Sequence, residues 1–326
     1  MHLKTDSFVV ESNVHFPADY NLLWDCMRKC LDMIVKLEEK YGKVTGWRKS
    51  RYWRSELKSM MRQPGRASGS GGKNKEKRVK EVAAIYLHKS GLLSEKIKQS
   101  LPTLPIRDVS DLATVLLLEY YHLLMNKHID LIDRRLLKGE TIPQEEKMFS
   151  VFEPYTEWIN KGKPRPNVEL GKKVNITTDQ YRLIVDCQTM DHQSDSEIVI
   201  ALADRLTSIF NTGSWSFDKG YWHSDNKALL ETVVPEVIMP KKGKCNQTES
   251  DREHQKIFKK LRNKHSAVES NIHSLETRGL SRCPDRGESH FTRYVAWAVC
   301  ACNLYCIGRK LQADYKRKEL LLKRAA

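Results

Sequence analysis

No apolar run in this chain is long enough to cross a bilayer. The strongest, at 294–307, falls short of the roughly 20 residues a spanning helix needs and is flanked by arginine. A secretory signal is also missing from the start, and none of the eight cysteines stands in a paired Cys-x-x-Cys spacing. Together these absences exclude a disulfide scaffold and point to a reducing cytoplasm. Cys26 and Cys30, four apart in a helical pattern, read as small buried hydrophobes, as do Cys300, Cys302 and Cys306 in an apolar segment. A zinc site completed by Cys283 or His290 is the alternative there. A phosphate loop fails as well: GSGGKN lacks the first glycine at the required offset and has Asn74 after its lysine.

Acid is scarce relative to base. The 326 residues hold 56 Lys and Arg against 41 Asp and Glu, a net charge of +15, with 40% hydrophobic and 30% charged residues. That composition reads as one or two soluble globular domains. The excess is concentrated: 43–80 carries 13 basic residues against two Glu, or +11. A phosphate-rich partner gains affinity when such cations displace its counterions, so this segment is the chain's main electrostatic footprint.

The order of elements is legible from periodicity. KTDSFVVES is β-branched and aromatic and predicts a strand. It is followed by an amphipathic helix with Leu22, Leu23, Cys26, Cys30, Met33, Ile34 and Leu37 on one face and Asp19 as its N-cap. From 43 to 150 the pattern is helical, with GRASGSGG at 65–72 predicted as a flexible link and the Leu and Tyr stripe at 112–125 as core packing. ELGKKVNITTD and QYRLIVDCQTM then predict two strands joined by a turn near Asp179. A capped helix at SDSEIVIALADRLTSIF, a strand at SWSFD, a helix at SDNKALLETVV and a strand at EVIMPKK complete an alternation that suits a mixed-sheet α/β core. Asp191, His192 and Asp195 read as turn and cap residues, with an active-site rim as the alternative.

Three acids sit in contexts that suit a metal-binding carboxylate triad. Asp6 lies in the first strand, Asp218 ends the SWSFD strand ahead of a glycine turn, and Glu269 lies in the helical SAVESNIHSLETRGL. Hard oxygen ligands from separate elements are what two divalent cations need to activate a nucleophile and stabilise a leaving oxygen. With 41 acids in the chain, solvated surface carboxylates are the competing reading of spacing alone.

Four blocks decide between these readings: DSFVVESNVHFPADYNLLWD, FEPYTEWINKGKPRPNVELGKKV, FDKGYWHSDNKALL and VESNIHSLETRGLSRCPDRGESHFTRYVAWAVCACNL. Over most of its length the chain resembles insertion-sequence transposases that carry an Asp-Asp-Glu triad on a ribonuclease-H-like fold. It departs from that family at Tyr155, where His is expected, and at Ala18, where Thr is expected. The resemblance implies a ribonuclease-H-like mixed sheet flanked by helices and interrupted by a largely helical insertion. The implied divisions are a first strand and helix at 1–42, a basic insertion at 43–150, the remaining core at 151–310 and a basic tail at 311–326. It further implies Asp6, Asp218 and Glu269 as catalytic residues and ligands of Mg²⁺, with Mn²⁺ as substitute. Asp6 is five residues from Met1, where relatives carry an upstream helical segment, so an N-terminally truncated product is expected.

The implied activity is metal-dependent cleavage and strand transfer at mobile-element ends, on double-stranded DNA, by a homo-oligomer without a membrane anchor. The alternatives are a catalytically inactive DNA-binding remnant and a same-fold nuclease that joins nothing. Candidate phosphate contacts are Arg48, Lys49, Arg51 and Arg54, interleaved with Trp47, Tyr52 and Trp53 whose rings would stack on bases. Lys259, Lys260 and Arg262 precede Glu269, and Arg278, Arg282 and Arg286 follow it as a loop cluster. His265 and His273 read as surface histidines, with DNA contact the alternative.

Overall fold

The computed structural model describes residues 1–42, 44, 46–47, 50–160 and 167–325. The chain divides into two compact units, one formed by 1–14 with 155–326 and the other by 15–154.

The first unit is an α/β domain on a six-stranded mixed sheet. Its middle strand is β1 (His2–Glu11), which pairs antiparallel with β3 (Val168–Thr178) and parallel with β5 (Ser214–Phe217). Beyond β5 lies β6 (Glu236–Ile238), also parallel. On the far edge of β3, the short β2 (Glu157–Asn160) and β4 (Ile184–Thr189) pair with successive stretches of the strand. Gly171 stands opposite Glu11 on one side and Glu157 on the other, and a Cβ there would lie 2.0 Å from the Val10 carbonyl oxygen. No larger residue fits that crossing.

Strand alternation assigns the two faces of β1. Phe8 and Val10 pack with Val174, Ile176, Val268, Ile272 and Leu275, and with Phe291, Val295 and Val299. Val174 and Ile176 belong to β3, and the other partners come from α8 (Lys256–Leu275) and the first turns of α9 (Glu288–Ala325). On the opposite face, Leu3 joins Trp215 and Phe217 against α5 (Val199–Thr207) and α6 (Ser224–Val233). The expected strands and helices between 168 and 238 are all present. The short α7 (Gln247–His254) precedes α8, and β2 went unrecognised because four residues carry too little periodicity. The expected tail at 311–326 instead continues α9, whose side chains from Ile307 to Lys323 are exposed.

The second unit is helical: α1 (Asp19–Tyr41), α2 (Ser50–Gly69), α3 (Lys75–Ser100) and α4 (Val109–Ile132). The division falls between residues 14 and 15, not at 42, because the apolar face of α1 is core to this unit. Leu22, Leu23, Cys26, Cys30, Ile34 and Leu37 share one cluster with Trp47, Leu57, Tyr86, Leu93 and Met125. Three local expectations change. Asp19 is the first helical residue rather than the cap, and its carboxylate pairs with Arg135 at 2.7 Å. The link predicted at 65–72 is helical through Gly69, with Pro64 buried inside α2. The stripe at 112–125 is divided: Val115, Leu118 and Met125 are buried, whereas Leu116 and Leu123 are exposed. No helix among the described residues is long and apolar enough to cross a membrane.

Candidate active site

Parallel pairing of β1 with β5 runs from His2 opposite Ser214 to Thr5 opposite Phe217. The next residues along are Asp6 and Asp218, so the register brings these two acids to neighbouring positions. Alternation puts both on the face covered by α8, since Phe8 and Ser216 share their parity and contact that helix. Glu269 belongs to α8, one residue after the buried Val268 and one turn before the largely buried Ile272. Asp218 and Glu269 line one cleft of about 410 Å³ together with Lys219, Arg262, His265 and Ser266.

Asp6 is largely removed from solvent, and its pKa is raised to about 7. Burial is the chief cause. The Ser7 backbone N–H, which donates to the carboxylate at 2.8 Å, opposes it, and the charges of Asp218, Glu269 and Asp195 push further upward. The charges of the other two predicted acids thus reach Asp6, and a divalent cation there would offset the repulsion.

His265 is not a surface residue. It is 8% exposed, a 3.0 Å hydrogen bond joins its Nδ1 to the Ser216 hydroxyl, and its buried Nε2 has no hydrogen-bond partner among the described residues. Burial lowers its pKa, so the ring beside the carboxylates is neutral at physiological pH. The spacing of Phe258, His265, Val268 and Ile272 is the signal that shows it on the inner face of α8. His273 is exposed, as expected.

Asp195 is the residue that sequence reasoning underrated. Its carboxylate accepts from the Ser7 hydroxyl at 2.7 Å and from Lys173 at 3.4 Å. Gly220 leaves room for it, since a Cβ there would meet the Asp195 carboxylate at 2.9 Å. The glycine after Asp218 thus accommodates a fourth acid behind the site. Asp191 and His192, by contrast, lie apart with Glu157. Donor atoms of those three fall within 4.8 Å of one another, the closest such set among the described residues, and the Asp6, Asp218 and Glu269 oxygens are not gathered so tightly. His192 N–H donates to Glu157 at 3.0 Å and the Lys172 ammonium sits 3.1 Å from Asp191, which already neutralises that cluster.

Among the predicted phosphate contacts, Arg48 and Lys49 lie outside the described residues. Arg51 and Tyr52 are exposed, Arg54 pairs with Asp32 at 2.6 Å, and Trp53 lies under the Lys89 ammonium at 4.5 Å. Trp47 is core: it is 1% exposed and its indole N–H donates to Ser100. That removes it from any stacking role. On α8, Lys259, Lys260 and Arg262 are exposed beside the carboxylate cleft, which Arg262 lines. Beyond the helix, Arg278 stacks on Tyr305 at 3.7 Å and Arg282 pairs with Glu11 at 2.6 Å, while Arg286 is exposed. The loop cluster is therefore partly spent on structure, tying the end of β1 to the segment after α8.

Comparison with protein families, with characterised proteins and with solved structures gave no match.

Proposed function

We propose that this chain is the catalytic region of an Asp-Asp-Glu transposase with a ribonuclease-H-like core, which cleaves DNA at mobile-element ends and transfers the strand. The observation that carries the reading is the register that sets Asp6 beside Asp218 on the face covered by α8, where Glu269 and Asp218 line an open cleft with Lys219 and Arg262. The strand order supports it: three antiparallel strands, β3 with β2 and β4 on its far edge, lie on one side of β1 and two parallel crossover strands on the other.

The donor set fits hard divalent cations. It is all carboxylate, with no thiol, and its strongest anomaly is an acid whose charge lacks compensation. Asp6, Asp218 and Glu269 would hold Mg²⁺, or Mn²⁺ in its place, supplying Lewis acidity at the scissile phosphodiester. The protein's own groups then have defined tasks. Arg262 and Lys219 orient a phosphate by charge-assisted hydrogen bonds. His265, held by Ser216, keeps a neutral ring against the carboxylates. No side chain is needed as a covalent nucleophile.

The test is Mn²⁺-dependent cleavage of a labelled duplex carrying the gene's own flanking ends, with Asp218→Asn and Glu269→Gln run alongside. Loss of cutting in both variants, by roughly a thousandfold or more, is expected. Cutting retained in both would remove the triad from the active site. Joined products separate strand transfer from hydrolysis alone, and salt-sensitive binding without cutting by folded wild-type protein would replace the enzyme reading with a DNA-binding one.

A further inference from the structure

A second cleft, of about 440 Å³, lies toward the amino-terminal ends of β1 and β5, walled by those strands, the β3–β4 turn and α8. No acid lines it. Lys4, Arg182 and Lys264 do, together with the amide of Gln180 and the hydroxyls of Ser216 and Ser270. Every charged side chain that lines the space is a cation, and its amide and hydroxyl groups can donate hydrogen bonds.

Two features suggest that this is a built site. Lys4 is only 8% exposed, yet its ammonium donates to the Asp179 backbone carbonyl at 3.1 Å and pairs with no carboxylate among the described residues. The Asp179 side chain is engaged in its own turn, accepting from the Tyr181 and Leu183 N–H groups at 2.8 and 2.9 Å. A buried cation bonded only to a carbonyl oxygen is costly; the nearby charge of Asp179 offsets part of that cost, and a bound anion would relieve the rest. The second feature is Arg182, which has φ 70° at the close of the turn. Glycine adopts that conformation readily, whereas arginine does not. The chain holds it there nonetheless: the Arg182 N–H donates to the Asp179 carbonyl at 3.4 Å, and the Asn271 amide of α8 donates to the Arg182 carbonyl at 2.9 Å.

We propose that this cleft binds a phosphate group, of a nucleic-acid strand or of a small phosphate ester, through Lys4, Arg182 and Lys264. A tetrahedral oxyanion suits three converging cations, the guanidinium offering paired N–H donors and the ammonium groups point charges. The cleft contains none of the three triad acids, although Ser266 lines both clefts.

The experiment follows the melting temperature of the metal-free full chain in inorganic phosphate against chloride at equal ionic strength, and the binding of a labelled single-stranded deoxyoligonucleotide. Arg182→Gly removes the cation while relieving the backbone. It should therefore melt no lower than wild type yet bind phosphate or oligonucleotide at least about tenfold more weakly. Lys264→Met, at an exposed position, should weaken binding in the same way, and Asp218→Asn should keep the wild-type phosphate response. A phosphate-induced rise with oligonucleotide binding unaffected by Arg182→Gly assigns a small ester; an oligonucleotide effect assigns a strand phosphate. Equal responses in wild type and Arg182→Gly, or no response to either probe, would overturn the proposal.

Discussion

Asp111 in the helical unit and Asp6 in the sheet unit are both acids withdrawn from water, and their surroundings treat them in opposite ways. Asp111 is 1% exposed at the start of α4. Burial opposes its ionisation, but Lys40 at 2.6 Å, the Tyr41 hydroxyl and the Arg107 N–H at 3.0 Å outweigh it and hold the carboxyl well below its usual range. It also completes a reciprocal capping box with Asp108. Asp6 receives one backbone N–H and faces three other acids, so its pKa rises to about 7. Elsewhere in the helical unit the pattern repeats that of Asp111: Arg134 bonds to Asp130, Glu140 and Glu146, and Asp25 to His15 and Arg28. Asp111 is held by a close cation, whereas the charges that reach Asp6 are those of other acids, the kind of perturbation that marks a candidate functional site.

The contrast predicts that removing an acid has opposite effects in the two units. Asp111→Ala leaves Lys40, Tyr41 and two backbone N–H groups without their acceptor, and should lower the melting temperature by roughly 10 °C or more, read by circular dichroism. A neutral result would mean that the network is not structural. Asp6→Asn, in contrast, should stabilise the metal-free protein at pH 8 by on the order of 2 kcal/mol while abolishing stabilisation by Mn²⁺. Destabilisation there would show that the carboxylate is internally satisfied after all.

The pH dependence follows the same logic at smaller amplitude. The folded pKa of Asp6 is raised to about 7 from the model-peptide value of 3.8, so the folded state binds more protons between those values. Its contribution to stability is full below about pH 4 and is lost as pH rises through about 7. Denaturant titrations of metal-free protein should show that decline, and added Mg²⁺ should flatten it. The smallest effect is expected for Arg54→Ala, because its pair with Asp32 is 46% and 29% exposed. About 0.5 kcal/mol or less would be lost. A larger loss would mark that surface as part of the helical core.

The strands that carry the candidate acids were readable in the sequence. KTDSFVVES and SWSFD announced them through β-branched and aromatic residues, with Asp6 inside the first and Asp218 at the end of the second. Asp195 was not, because its link to the site runs through Ser7 on the other face of β1, a relation set by pairing and not by spacing. Trp47 misled for a related reason. Its basic neighbours suggested a stacking surface, yet an indole with a partner such as Ser100 is as well suited to a core.

By itself the sequence determined the element order over most of the chain, the apolar faces of α1 and α8, and the concentration of positive charge, since each follows from local periodicity or composition. Only the tertiary structure decided that α1 belongs to the helical unit, that Asp6 and Asp218 stand side by side, and that Lys4, Arg182 and Lys264 share a cleft empty of acids. Those relations depend on strand register and on which face a helix covers, and both are set by packing between segments more than 150 residues apart.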